Sequence, residues 1–233
     1  MRRYQPPKRP RHSGFSLVEL LVVIAILSVL FALAIPSFSR VRVSAMKTQG
    51  VSNLKQLHLF TMRYCFAHDD CLPLGGGVIV GGRNALSWVN RLLPYAGVPE
   101  LAETSLNDWW GRPPPHAVFQ DPGIALPGEM DRIRAATVDA TWGFGYNVQP
   151  LLPENPLYLA DWQAQPLKGV SLGGVEYPSR RILFASAFDW HLNGGRENRA
   201  YHRYGKDQAI GIFFDGHAAT LSESDYDKAF LDP

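Results

Sequence analysis

The chain has 233 residues, with 23 Lys and Arg against 21 Asp and Glu for a formal charge of +2, and 46% of it is hydrophobic. A balance this near zero argues against a nucleic-acid partner, and the length suits one domain of moderate size with an appendage. The 21 Gly and 18 Pro imply that much of the chain is loop and turn.

The first element is set by charge. Arg2, Arg3, Lys8, Arg9 and Arg11 precede any acid, and residues 20–39 then carry no charge at all. About 20 apolar residues in a helix span roughly 30 Å, one hydrocarbon core, and the basic lead-in is expected to stay in the cytoplasm. The rest of the chain is then expected outside the cytoplasmic membrane. A secretory signal peptide does not fit, because the apolar core is too long and the small pair Ser13-Gly14 lies before it rather than after it. A plain anchor fits the charge and length but leaves Glu19 unexplained, since a carboxylate in a bilayer costs at least ~2.5 kcal/mol.

The stretch Gly14-Phe15-Ser16-Leu17-Val18-Glu19, with the basic leader before it and the apolar run and Pro36 after it, resembles the processing site of type IV prepilins and type II secretion pseudopilins. The resemblance implies that a prepilin peptidase cuts between Gly14 and Phe15 and that Phe15 is N-methylated. It implies that Glu19 of one subunit meets the new Phe15 ammonium of a neighbour, a pairing that is strong in low dielectric and costly to leave incomplete. The implied partners are prepilin peptidase, other pilin or pseudopilin subunits and the inner-membrane assembly machinery. No cofactor is implied.

Pro36 removes a backbone donor and is expected to kink or loosen the helix. Beyond it, Val43, Met46, Gly50, Leu54, Leu57, Thr61 and Tyr64 recur at spacings of three and four, which predicts an amphipathic continuation with one face packed on a core. The boundaries expected are a leader at 1–14, a long helix at 15–66 with its transmembrane part at about 15–38, and an extracytoplasmic globular domain at 67–233.

Downstream the chain reads as short strands and turns. The Gly-rich stretch 75–82 predicts a flexible loop or sharp hairpin and not a phosphate loop, because no Lys-Ser/Thr follows it. Residues 83–95 read as a short helix. The stretch 107–116 reads as a loop that holds Trp109-Trp110, a pair that would either stack on a sugar ring or fold back onto the core. Ser52-Asn53-Leu54-Lys55-Gln56-Leu57, Leu72-Pro73, Ser87-Trp88, Asp121-Pro122, Gly145-Tyr146-Asn147 and Pro178-Ser179 resemble, in order, a pilin-like family with a C-terminal H-X9-DG motif. Here twelve residues intervene between His202 and Asp215 where that family has nine, so an insertion is implied and no role passes to His202.

At the C-terminal end, residues 210–214 and 217–221 predict a hairpin, with Asp215-Gly216 as a two-residue turn at positive φ. His202, Asp215 and His217 are candidate metal ligands, against the plainer reading that Asp215 serves the turn and the histidines satisfy nearby backbone groups. Cys65 and Cys71, the two cysteines of the chain, are a candidate disulfide in an oxidising compartment, against a pair of free thiols. Neither a Gly-x-Ser-x-Gly elbow nor an HExxH helix is present, so the chain reads as a substrate of enzymes rather than an enzyme.

The fold expected is α+β, a long N-terminal helix whose outer half packs on an antiparallel sheet. The function expected is that of a pilin-like subunit assembled into a type IV pilus or type II secretion pseudopilus, held in the cytoplasmic membrane with its C-terminal domain outside. The rival reading is a membrane-anchored binding protein, glycan-recognising, that does not polymerise.

Overall fold

The computed structural model describes residues 16–73, 79–80, 83–84, 88–99, 116–129, 143–147, 171–188, 192 and 199–231. The chain divides into two compact units, Met1–Arg42 and Val43–Pro233. The first helix, α1 (Leu17–Ala67), contributes to both.

In the first unit α1 is rich in Leu, Val, Ile, Ala and Phe and carries no charge over residues 20–39, and its large apolar side chains from Leu17 to Val41 are exposed. It is long and apolar enough to cross a membrane, and none of its most apolar window is buried within the chain. The Ser28 hydroxyl donates to the Ile24 carbonyl at 2.7 Å, one turn back along the same helix. Helical backbone continues through Pro36.

In the second unit the same helix turns amphipathic. Gly50, Asn53, Leu54, Leu57, Phe60, Thr61, Tyr64 and Cys65 are buried, and Val43 and Met46 pack partly against them. This is the face that the three-and-four spacing predicts. The helix ends where Asp69 and Asp70 take φ of 51° and 62°. The Asp70 N–H bonds the Cys65 carbonyl at 2.9 Å, the six-to-one bond of a left-handed helix stop, which Asp tolerates better than most residues.

A two-residue hairpin follows, β1 (Ile79–Val80) paired antiparallel with β2 (Arg83–Asn84). The helix expected over 83–95 is therefore shorter: Arg83 and Asn84 are strand, α2 covers Trp88–Leu92, and a 3₁₀ turn covers Leu93–Ala96. Pro94 at the start of that turn lacks the N–H that a continuing α-helix needs, and Gly97 closes it at φ 77°.

The main sheet is antiparallel in chain order: β3 (Phe144–Tyr146), β4 (Ile182–Ser186), β5 (Ala209–Phe213) and β6 (Ala218–Leu221). Both faces of its middle are buried. Phe144, Tyr146, Leu183, Phe184, Ile210 and Ile212 join Leu54, Leu57, Phe60 and Tyr64 of α1 in the larger core. Ile182, Ala185, Ala209, Phe213 and Leu221 form a second core with Tyr226 of the last helix, α3 (Glu223–Leu231). A register shift between Ile182 and Phe184 breaks the alternation of β4, so that Leu183 and Phe184 both belong to the α1 side. The result is the α+β arrangement expected, a long helix and an antiparallel sheet.

Candidate processing and assembly site

At the start of α1 the sequence Ser16-Leu17-Val18-Glu19 supplies a hydroxyl and, three residues on, a carboxylate. The structure uses both. The Val18 N–H donates to Ser16 Oγ at 3.3 Å, and the Ser16 N–H donates to Glu19 Oε2 at 2.8 Å. The Leu20 N–H donates to the Ser16 carbonyl at 3.2 Å, the first bond of the helix. This is a reciprocal capping box, in which each side chain satisfies a backbone donor that the helix itself leaves open. Glu19 also brings a carboxylate to the positive end of the helix dipole. Gly14 and Phe15 lie outside the described residues.

The C-terminal motif residues separate into two local groups. The loop between β5 and β6 is a three-residue turn rather than the two-residue turn predicted. The Gly216 N–H bonds the Phe213 carbonyl at 2.9 Å and the Phe213 N–H bonds the His217 carbonyl at 3.0 Å. Gly216 takes φ of +88°, while Asp215 is not among the described residues with positive φ. This is a type I turn closed by a left-handed glycine, so only the glycine needs positive φ. Asp215 Oδ1 accepts from the His217 N–H at 3.1 Å and lies 2.6 Å from the His217 ring Nδ1. Burial pushes the Asp215 carboxyl upward, and the His217 contacts outweigh that and hold it below the usual carboxylate range.

The tip docks on α1. His58 Nε2 lies 3.1 Å from the Phe214 carbonyl oxygen, and a side-chain carbon at Gly216 would stand 2.9 Å from the His58 ring. His202 is engaged elsewhere: its Nδ1 accepts from the Asp207 N–H at 2.9 Å, and Asp207 in turn accepts from the Glu223 N–H at the start of α3. His217 and Asp215 are thus brought together and His202 has other partners. Among the described residues no three His, Cys, Asp or Glu side chains gather in a group able to hold a metal ion.

Cys65 and Cys71 are both free thiols, the first buried and the second half-buried. Burial, with Asp70 and Cys71 adding to it, pushes the Cys65 thiol up to about 12. Beside them Asp70 Oδ2 accepts from Ser171 Oγ at 2.7 Å and from the Gly173 N–H at 2.9 Å, which ties the helix stop to a distant loop.

The prokaryotic N-terminal methylation motif matches residues 9–35. The segment it matches includes the start of the capped, exposed apolar helix described above. The N-terminal segment is that of the type IV pilin and pseudopilin superfamily. A curated relative, the type IV major pilin protein PilA of Myxococcus xanthus (strain DK1622), is 41% identical over 49 residues, which is 21% of this chain and 22% of the relative. The chain thus spans about a fifth of the length of the curated pilin it matches. No solved structure matches the chain.

The pilin-type helix packs in its second unit against a polar cluster that the sequence reading missed. Arg203 is fully buried and donates from Nη1 to Asp121 Oδ2 at 3.1 Å and from Nε to Glu129 Oε2 at 3.1 Å. Its remaining donors reach the Ala187 carbonyl at 2.7 Å and the Gly143 carbonyl. Burial works against the Arg203 charge, and the two carboxylates more than reverse it, so its pKa is raised. Asp121 also accepts from the Gly123 N–H at 2.9 Å, from Ser186 Oγ at 2.8 Å and from the Tyr204 hydroxyl. Burial first, then Asp121, pushes the Tyr204 hydroxyl far above its usual range. Every polar group named here is buried and has a protein partner, so the cluster is a structural brace for the second unit. The Asp121-Pro122 pair, where Asp caps a 3₁₀ turn, was its one sequence signal. Trp109 and Trp110 lie outside the described residues.

Proposed function

We propose that the chain is a pilin-like subunit, inserted as a prepilin, cut between Gly14 and Phe15, methylated on Phe15, and assembled through α1 into a type IV pilus or type II secretion pseudopilus. The observation that carries this reading is an exposed apolar helix that begins within the matched methylation motif, uncharged over residues 20–39, with Glu19 in its first turn. An apolar surface of that length needs lipid or neighbouring subunits around it. Before assembly the helix lies in the cytoplasmic membrane with its basic leader inside and residues beyond the span outside. After cutting, Glu19 pairs with the Phe15 ammonium of a neighbour and sets the register. The partners in this reading are prepilin peptidase, other subunits and the inner-membrane assembly machinery. The chain is their substrate and building block, not a catalyst.

Two substitutions test it. Gly14→Glu, co-expressed with a prepilin peptidase, is expected to keep its leader by intact mass, and loss of the leader at the wild-type rate refutes the processing step. Glu19→Val is expected to insert at least as well as wild type and to be excluded from filaments or cross-linked oligomers, and wild-type incorporation refutes the pairing.

A further inference from the structure

The second half of α1 has an outer face as well as an inner one. Leu54, Leu57, Phe60, Thr61 and Tyr64 turn into the core. Lys55, Leu59, Met62, Arg63 and Phe66 recur at spacings of three and four between them, so they share the opposite side of the helix. Phe66 is 94% exposed and Leu59 47% exposed, with Met62 half-buried between them. One exposed apolar side chain is ordinary on any surface. Here two large ones lie two turns apart on one face, and Lys55 and Arg63, both exposed, flank them without an ion pair among the described residues. An aromatic anchor with a rim of unpaired cations has the composition of a docking surface.

Charge names the occupant. Residues 20–68 carry Arg40, Arg42, Lys47, Lys55 and Arg63 and no acid, whereas residues 69–233 hold 13 Lys and Arg against 20 Asp and Glu, a balance of −7. Asp69, Glu176, Asp207 and Asp225 of that remainder are exposed. We propose that the outer face of residues 55–66 docks on the acidic outer part of a second copy of this chain, with Phe66 as the apolar anchor and Lys55 and Arg63 as the pairing charges. The inference rests on the subunit reading and adds to it a contact outside the apolar span. It also sets the symmetry. The face cannot meet itself, because an isologous contact would press Lys55 and Arg63 against their own counterparts. The contact is therefore head-to-tail: each copy offers a basic helix face to one neighbour and an acidic face to another. Repeated without closing, such a contact builds an open filament.

The test uses the purified full chain in detergent micelles at low ionic strength, with the photo-reactive p-benzoylphenylalanine placed at residue 66 or, in a second sample, at residue 27. Residue 66 is expected to give a cross-linked dimer whose link maps to residues 69–233 of the other copy. Phe66→Ala, read by a probe at residue 59, is expected to lower the dimer yield at least about tenfold, as the loss of an interface anchor does. Lys55→Gln with Arg63→Gln is expected to lower it several-fold, and Lys55→Arg with Arg63→Lys to keep it. About 1 M salt, where the Debye length is about 3 Å, is expected to weaken the link through residue 66 and to spare the link through residue 27. A dimer through residue 27 with none through residue 66 overturns this inference alone. So does a link from residue 66 to residues 55–66 of the other copy, or a yield that the charge-neutral variants and salt leave unchanged. A dimer through residue 66 with none through residue 27 supports this contact and overturns assembly through the apolar span. No dimer through either residue removes the subunit reading, and this inference with it.

Discussion

The two halves of α1 form one continuous helix and lead opposite lives. Leu27 in the first half is 45% exposed, while Leu57 in the second is fully buried against the sheet. Both halves are rich in Leu, so residue type does not separate them. What separates them is pattern: the first half is apolar all round, and the second sets Arg, Lys, Gln and Ser between its apolar positions. The second half finds its partner within its own chain. The first half has an apolar surface that stays exposed among the described residues, and this asymmetry fits the proposed role of a subunit that assembles through that half.

The comparison is sharpened most by the charged brace around the second half. Arg203→Ala leaves Asp121 and Glu129 buried without their cation, and is expected to cost about 3–5 kcal/mol in denaturant unfolding of the detergent-solubilised chain. A loss below 1 kcal/mol means the brace is not formed. The helix halves themselves are compared by truncating one leucine in each. Leu57→Ala is expected to cost about 2–5 kcal/mol, and Leu27→Ala is expected to leave the same unfolding transition in place. Equal effects break the distinction.

The end of the second half offers a bridge. Joining Cys65 to Cys71 is expected to add about 2 kcal/mol, as short loops do, and to form after export by exchange with an oxidised dithiol. Intact mass after alkylation, with and without reductant, reads it, and free thiols in exported protein refute it. At the hairpin tip, Gly216→Val sets a branched side chain at φ +88° against the His58 ring, and is expected to cost at least about 1–2 kcal/mol. Asp215→Asn keeps the turn chemistry and is expected to be close to neutral, with no change on adding or chelating metal. A melting shift that chelators remove in wild type and that Asp215→Asn lacks restores the metal reading.

The smallest effect is at the helix stop. The Ser171 hydroxyl, and then the Gly173 N–H, hold the Asp70 carboxyl below its usual range near 3.8. Its contribution is therefore present above that range and is lost as the pH falls through the lower, folded-state value. Asp70→Asn, which tolerates the left-handed backbone, is expected to flatten the acid limb of the melting profile between about pH 5 and 2. An unchanged acid limb removes Asp70 from the account.

Much of this was legible in the sequence because it repeats at short range. The buried face of α1 follows from spacings of three and four, and the last hairpin follows from two apolar runs around Asp215-Gly216. The turn type was misread because two and three loop residues look alike until the pairing of Phe213 with His217 is known. The helix over 83–95 was overextended because no local signal separates Arg83 and Asn84 from the helix that follows; their strand character comes from pairing with Val80 and Ile79. Apart from the Asp121-Pro122 pair, the brace was invisible for the same reason. Arg203 meets Glu129 and Asp121 from 74 and 82 positions away, and an isolated Arg among tyrosines reads as a surface residue.

The Ser28 hydroxyl gives the first half a further property. It bonds a carbonyl of its own helix, so the one polar side chain in the middle of the span asks nothing of its surroundings. A helix closed upon itself in this way can leave one hydrocarbon neighbour for another without breaking a hydrogen bond. In the proposed assembly, its passage from a sea of lipid chains into a bundle of like helices is then a trade of contact for contact. In that assembly, the carboxylate at its mouth is the group that changes partners, and the commitment to a particular neighbour is concentrated there.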